Sequence, residues 1–225
     1  MDLYHVLNRG VDKRKIFLDE REHLRFIHDL YEFNDKNWVI NNFRTFGQLN
    51  DLASPTEHAG KKKRQLLVNI HAFCLMPNHY HLLLSPRVKD GIPRFMRKLN
   101  MGYAKYFNLK HKRSGALFEG RYKSILVKDE SHFIHLPYYI HLNPLDLIMP
   151  EWRNRTIHNF QKAVDFLENY RWSSFLDYTG RKNFPSVTYR NLILSSTGGS
   201  KQYYKETLDW IREMDWENLR SVTLE

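Results

Sequence analysis

His79 and His81 stand one residue apart in the run Met76 to Ser85, MPNHYHLLLS, whose leucines mark a β-strand. Side chains at i and i+2 of a strand leave the same face, so the two imidazoles are expected side by side. Neutral imidazole is a common ligand of divalent metals, and a rigid pair is half of a metal site. The bland alternative is an incidental pair. A second set lies in PYYIHLNP, Pro137 to Pro144. There Tyr139 and Asn143 are four residues apart, so in a helix the phenol and the carboxamide share a face, with His135 four residues earlier. A phenol beside a divalent metal is a nucleophile toward phosphorus and yields a phosphotyrosine. Tyr138 and Tyr139 read equally as core residues of an amphipathic helix.

Between Gly91 and Phe118 the chain carries Arg94, Arg97, Lys98, Lys105, Lys110, Lys112 and Arg113 and no Asp or Glu. One-signed charge of this kind suits a phosphate backbone and predicts salt-dependent binding. Tyr103, Tyr106 and Phe107 follow helical spacing and are expected in the core rather than as base-stacking platforms. In GALFEGRYKS, Gly115 to Ser124, two glycines let backbone approach closely and Arg121 is placed to clamp a phosphate. An ordinary loop with a Glu119–Arg121 pair fits the same string.

These groups need elements to hold them. The patterning predicts a strand over 3–8 ended by Asn8-Arg9-Gly10, a helix over 19–33 and an antiparallel strand pair over 66–76 and 80–85. It continues with a helix over 94–109, a strand over 122–127 and a helix over 131–142 that stops before Pro144. Pro137 either begins that last helix or kinks it. Residues 35–65 read as an insertion or loop, with a strand possible over 38–46. Its part over 48–65 is polar and ends in Lys61-Lys62-Lys63-Arg64, a solvated cluster or a phosphate contact. The order strand, helix, strand, strand, helix, strand, helix predicts an α+β ferredoxin-like antiparallel sheet covered by helices on one face. The division is 1–150 for this domain and 151–225 for a C-terminal extension with a helix over 203–214.

A net charge of +10 and pI near 9.6 favour a polyanionic partner, nucleic acid ahead of a membrane surface. The one cysteine, Cys74, excludes an internal disulfide or a multi-cysteine zinc cluster and reads as a small core residue. No apolar run approaches the roughly 20 residues of a membrane span, and the N-terminus lacks a signal-peptide pattern, so a cytoplasmic protein is expected.

NRG at 8–10, MPNHYHLLL, YFN at 106–108, GALFEGRYKS, YYIHLNP and YRWSSF at 170–175 occur in this order. Together they resemble the REP-associated tyrosine transposases of the single-tyrosine HUH superfamily, over roughly residues 3–178. The resemblance implies a ferredoxin-like domain that holds Mg²⁺ or Mn²⁺ on His79 and His81, with Asn143 as third polar group. It implies Tyr139 rather than Tyr138 as nucleophile, because Tyr139 occupies the family's Tyr-Ile-x-x-Asn-Pro position. The implied activity is nicking and strand transfer of single-stranded, hairpin-containing DNA through a 5′-phosphotyrosine, by a monomer or homodimer. Two other classes stay open: a non-catalytic hairpin-binding relative, and a ribonuclease or RNA-binding domain on a similar sandwich.

Overall fold

The computed structural model describes residues 2–37, 64–154 and 156–213. Alternating and continuous apolar runs build β1 (Leu3–Arg9), β2 (Val68–Met76), β3 (His79–Pro86) and β4 (Lys123–Val127). They pair antiparallel in the order β2-β3-β1-β4. With α1 (Glu20–Glu32) before β2 and α2 (Gly91–Lys110) before β4, this is the ferredoxin-like arrangement expected from the element order. Asp19 caps α1 by accepting from the Glu22 amide at 2.9 Å. α2 starts three residues earlier than its apolar stripe suggests, because Pro93 is tolerated within the first turn, where backbone N–H groups need no helical partner. The strand expected over 38–46 and the lysines of the basic run lie outside the described residues. Arg64, at the end of that run, stacks on the Tyr31 ring at 3.7 Å and pairs with Asp35 at 3.8 Å, so it fastens the chain to the end of α1.

Helices cover both faces of the sheet, not one. Val6, Tyr80, Leu82 and Leu84 pack against Phe26, Ile27, Leu30, Phe95, Met96 and Tyr103 of α1 and α2. Leu3, Leu83, Cys74 and Met76 point the other way, into a second core with α3 (Glu130–Leu142). That core also takes Trp152, Leu167 of α4 (Phe160–Asn169), Tyr178 of α5 (Phe175–Tyr178), Ile193 of α6 (Asn191–Ser196) and Tyr203 of α7 (Ser200–Glu213). The cause is visible in Leu82-Leu83-Leu84: consecutive leucines make both faces apolar, and each left uncovered forgoes about 1.5–3 kcal/mol of burial.

Chain on both sides of residue 150 thus builds the second core. The YRWSSF string also covers the outer edge of β2. The Leu75 amide donates to the Trp172 carbonyl at 2.9 Å, the Phe73 amide to Ser174 Oγ at 2.9 Å, and the Tyr170 hydroxyl to the Leu75 carbonyl at 2.6 Å. An open strand edge is thereby closed to other chains.

α3 runs from Glu130 through Pro137 and ends at Leu142, as the Asn-Pro step predicts, and the chain continues as a 3-10 turn, Asn143–Leu147. Asn143 keeps right-handed helical backbone (φ −49°, ψ −35°), against the usual bias of a residue before proline. Its Nδ2 donates to the Tyr139 carbonyl at 2.9 Å and ties the turn to the helix end.

His71 of β2 is fully buried between Ser85 Oγ, 2.8 Å from Nε2, and the Tyr189 carbonyl, 3.2 Å from Nδ1. Burial pushes its pKa from 6.5 down to about 4, so the folded protein holds it neutral. Between those values the unfolded chain binds more protons. Stability is therefore complete above pH 6.5 and is withdrawn as the pH falls toward about 4, by roughly 1.4 kcal/mol per unit. Denaturant unfolding is expected to show a steeper acid-side decline for the natural protein than for His71→Gln. Parallel curves would reject the assignment.

Candidate active site

The turn Pro77-Asn78 sets His79 as the first residue of β3. It is pinned by the Gly10 amide donating to the Asn78 carbonyl and the Ile16 amide to the Pro77 carbonyl, both at 2.8 Å. A Cβ on Gly10 would lie 2.3 Å from the Arg14 carbonyl oxygen, so the close crossing requires the glycine of the Asn8-Arg9-Gly10 string. His79 and His81 leave the same face, with ring centroids 4.9 Å apart and planes at 79°. Asn78 Oδ1 lies 2.6 Å from His79 Nδ1. A carboxamide oxygen only accepts, so Nδ1 carries the proton and Nε2 is the basic nitrogen.

His81 Nδ1 lies 3.0 Å from Nε2 of a third histidine, His5, and the two rings stack at 5.2 Å. His5, fully buried on β1, was not expected from the sequence. Its only signal is the alternation it shares with Leu3 and Leu7, since Leu7 lies opposite His81 in the β1–β3 register.

α3 lies over this face and divides its two tyrosines. The Tyr139 ring stands edge-on, 6.2 Å from both the His81 and the His5 ring. Tyr138 turns toward α7: its hydroxyl donates to the Glu206 carboxylate, and its ring stacks on Tyr203 at 4.5 Å and Trp210 at 5.7 Å. Burial, with the Glu206 carboxylate adjoining, pushes the Tyr138 pKa up. His135, expected on the face of Tyr139, packs on Trp210 at 4.5 Å and so lies on the Tyr138 side. At 100° per residue it falls between the two tyrosines, and the indole draws it to one. His141 fastens the back of α3 through Tyr203 Oη and Ser174 Oγ, each at 2.7 Å, and burial pushes its pKa down to about 3.

Tyr139 and Asn143 are joined by Arg153, which the sequence reading did not single out. Arg153 Nη1 donates to Tyr139 Oη and Nη2 to Asn143 Oδ1, both at 2.8 Å. Asp146 anchors the guanidinium, accepting from Nε at 2.8 Å and from Nη2 at 2.6 Å, and is itself held by Trp152 Nε1 at 2.5 Å.

Among the described residues no group of three or more His, Cys, Asp or Glu side chains is arranged to hold a metal ion. The His79–His81 pair nonetheless fits the imidazole part of a divalent site. Both rings leave one face, and each Nδ1 is engaged by a neighbour, the arrangement that orients Nε2 as ligand. The Asn143 oxygen meets the Arg153 guanidinium.

The basic residues divide between the two faces. α2 packs on the face opposite the histidines. Its Lys98 donates to the Asp35 carbonyl at 2.5 Å, its Lys110 bridges Asp19 at 2.6 Å and Glu22 at 2.8 Å, and Arg113, just beyond its end, binds Asn108 Oδ1 at 2.7 Å. Arg97, Lys105 and Lys112 are exposed and Arg94 half-buried on that far layer. Arg121, by contrast, lines a cavity of about 270 Å³ with Leu7, Arg9, Glu119 and Lys123. Arg9 lies opposite His79 in the β1–β3 register, so this cavity adjoins the histidine end.

The family model of the IS200-like transposases matches residues 38–143. Over that span, just under half of its length, the chain is similar to the IS200-like transposases. The matched span contains His79, His81, Tyr139 and Asn143, whereas His5 and Arg153 lie outside it. Among solved structures the chain is similar to a REP-associated tyrosine transposase bound to a REP hairpin, with 13% identity over 82% of each chain and a TM-score of 0.46. No curated protein matches it. The family match supports a transposase-type role in DNA processing. No described helix is long and apolar enough to cross a membrane.

Proposed function

We propose that the chain is a metal-dependent strand transferase that nicks single-stranded, hairpin-containing DNA through a 5′-phosphotyrosine. The observation that carries this reading is the Tyr139 phenol, held by Arg153 and facing the His5 and His81 rings at 6.2 Å within one chain. The IS200-like span supports it, as does the order of motifs resembling the REP-associated enzymes. The histidines and the tyrosine of the proposed site are brought together here by one chain.

Mg²⁺ or Mn²⁺ on His79 and His81, with Asn143 as third group, would supply Lewis-acid polarisation of the scissile phosphate when bound. The chain's own part is nucleophilic. Tyr139 Oη bonds to phosphorus, the bond from phosphorus to the 3′-oxygen breaks, the phenol proton passes to solvent and the leaving oxygen takes one from solvent. The products are a 5′-phosphotyrosine and a free 3′-hydroxyl. Attack by another 3′-hydroxyl reverses the step, so no nucleotide cofactor is required. Arg9, Arg121 and Lys123 beside the cavity are assigned to the strand's phosphates ahead of the α2 cations, because they adjoin the histidine end.

A 3′-labelled hairpin oligonucleotide taken from palindromes flanking the gene, mixed with the protein and Mn²⁺, is expected to yield a labelled covalent protein–DNA species resistant to denaturation. EDTA is expected to abolish it. Binding without an adduct would favour the non-catalytic hairpin binder, and preference for an RNA hairpin would favour the RNA-directed reading.

A further inference from the structure

The structure assigns a catalytic role to Arg153, which we propose stabilises negative charge on Tyr139 Oη during both cleavage and rejoining. This rests on Tyr139 being the nucleophile. Arg153 Nη1 touches the atom that would react, at 2.8 Å. Its charge is not a loose surface charge. Asp146 grips the guanidinium through Nε and Nη2, its carbon lies 4.8 Å from the centroid of the Trp152 ring, and Trp152 in turn fixes Asp146. Trp152 is fully buried, so this support is built into the second core. The planar fork thus has one donor on the phenol and one on the Asn143 carboxamide, and sets the distance between the two groups.

Charge on the phenol oxygen is needed twice. It builds as the O–H proton leaves, ahead of full bonding of Oη to phosphorus, and again when the bond from Oη to phosphorus breaks and the 3′-hydroxyl of the joining strand takes over the phosphate. A donor already oriented at that oxygen costs no reorganisation at either moment. The same group therefore serves the forward and the reverse step.

Single-turnover cleavage and rejoining of the hairpin oligonucleotide test this with Arg153→Gln, Arg153→Lys and Arg153→Ala. Losing one oriented donor is expected to slow both steps by about 100-fold or more in Arg153→Gln, with hairpin affinity nearly unchanged. Arg153→Lys is expected to recover part of the rate. Added guanidinium ion is expected to restore part of it to Arg153→Ala, a rescue that a merely structural role would not give. Cleavage at the natural rate in Arg153→Ala overturns the proposal. So does a loss that follows weakened hairpin binding or a lowered melting temperature and resists guanidinium. A natural protein that forms no adduct on Tyr139 overturns the nucleophile reading and this role with it, whereas a natural adduct with unimpaired Arg153 variants overturns this role alone.

Discussion

Tyr139→Phe is expected to lower formation of the covalent DNA adduct by more than about 1,000-fold while leaving hairpin binding in place. The substitution removes one oxygen and keeps the ring that stands edge-on to His5 and His81. Arg153 loses its bond to the phenol but keeps Asp146 and Asn143, so the surrounding network stays charged and paired. Tyr138→Phe is the contrasting experiment. Its hydroxyl serves Glu206 on α7, and a hydrogen bond to a charged group contributes about 1.5–3 kcal/mol to stability. That variant is expected to melt earlier and still form the adduct. A full-strength adduct in Tyr139→Phe would reverse the two assignments. Denaturing gels with a labelled hairpin and thermal melts of both variants distinguish the outcomes.

Removing the histidines is the second large effect. His79→Ala and His81→Ala are each expected to weaken Mn²⁺ binding by more than about 100-fold and to abolish metal-dependent nicking, since the loss of a directly bound ligand exceeds that of a group supporting it. His5→Phe is expected to be milder, about 10–100-fold in Mn²⁺ affinity, because His5 acts through the Nδ1 of His81. Calorimetric or paramagnetic titration with Mn²⁺ measures these affinities apart from turnover. Natural affinity in His81→Ala would show that the ion is held elsewhere. Equal losses in His5→Phe and His81→Ala would make His5 itself a ligand.

The amino-acid sequence by itself determined what local periodicity encodes. A two-residue repeat put His79 and His81 on one strand face, and a helical repeat put Tyr139 and Asn143 on adjoining turns. The same repeats give the strand and helix order and hence the antiparallel sheet, with element ends within a few residues. Periodicity describes one element at a time and is silent on what another element brings to it.

Only the tertiary structure decided the rest. Leu82-Leu83-Leu84 required cover on both faces, and the chain after residue 150 supplied much of the second layer. That layer turned Tyr138 and His135 to Trp210, and set Arg153 on the phenol of Tyr139. The register of β1 against β3 brought His5 to His81 across 76 positions of sequence. The basic helix α2, attractive as a phosphate track by charge alone, lies behind the sheet, with its Lys98 and Lys110, and Arg113 just beyond its end, bound to the protein's own oxygens. Charge and spacing are local properties, whereas the face on which a helix packs depends on the summed burial of all the elements together.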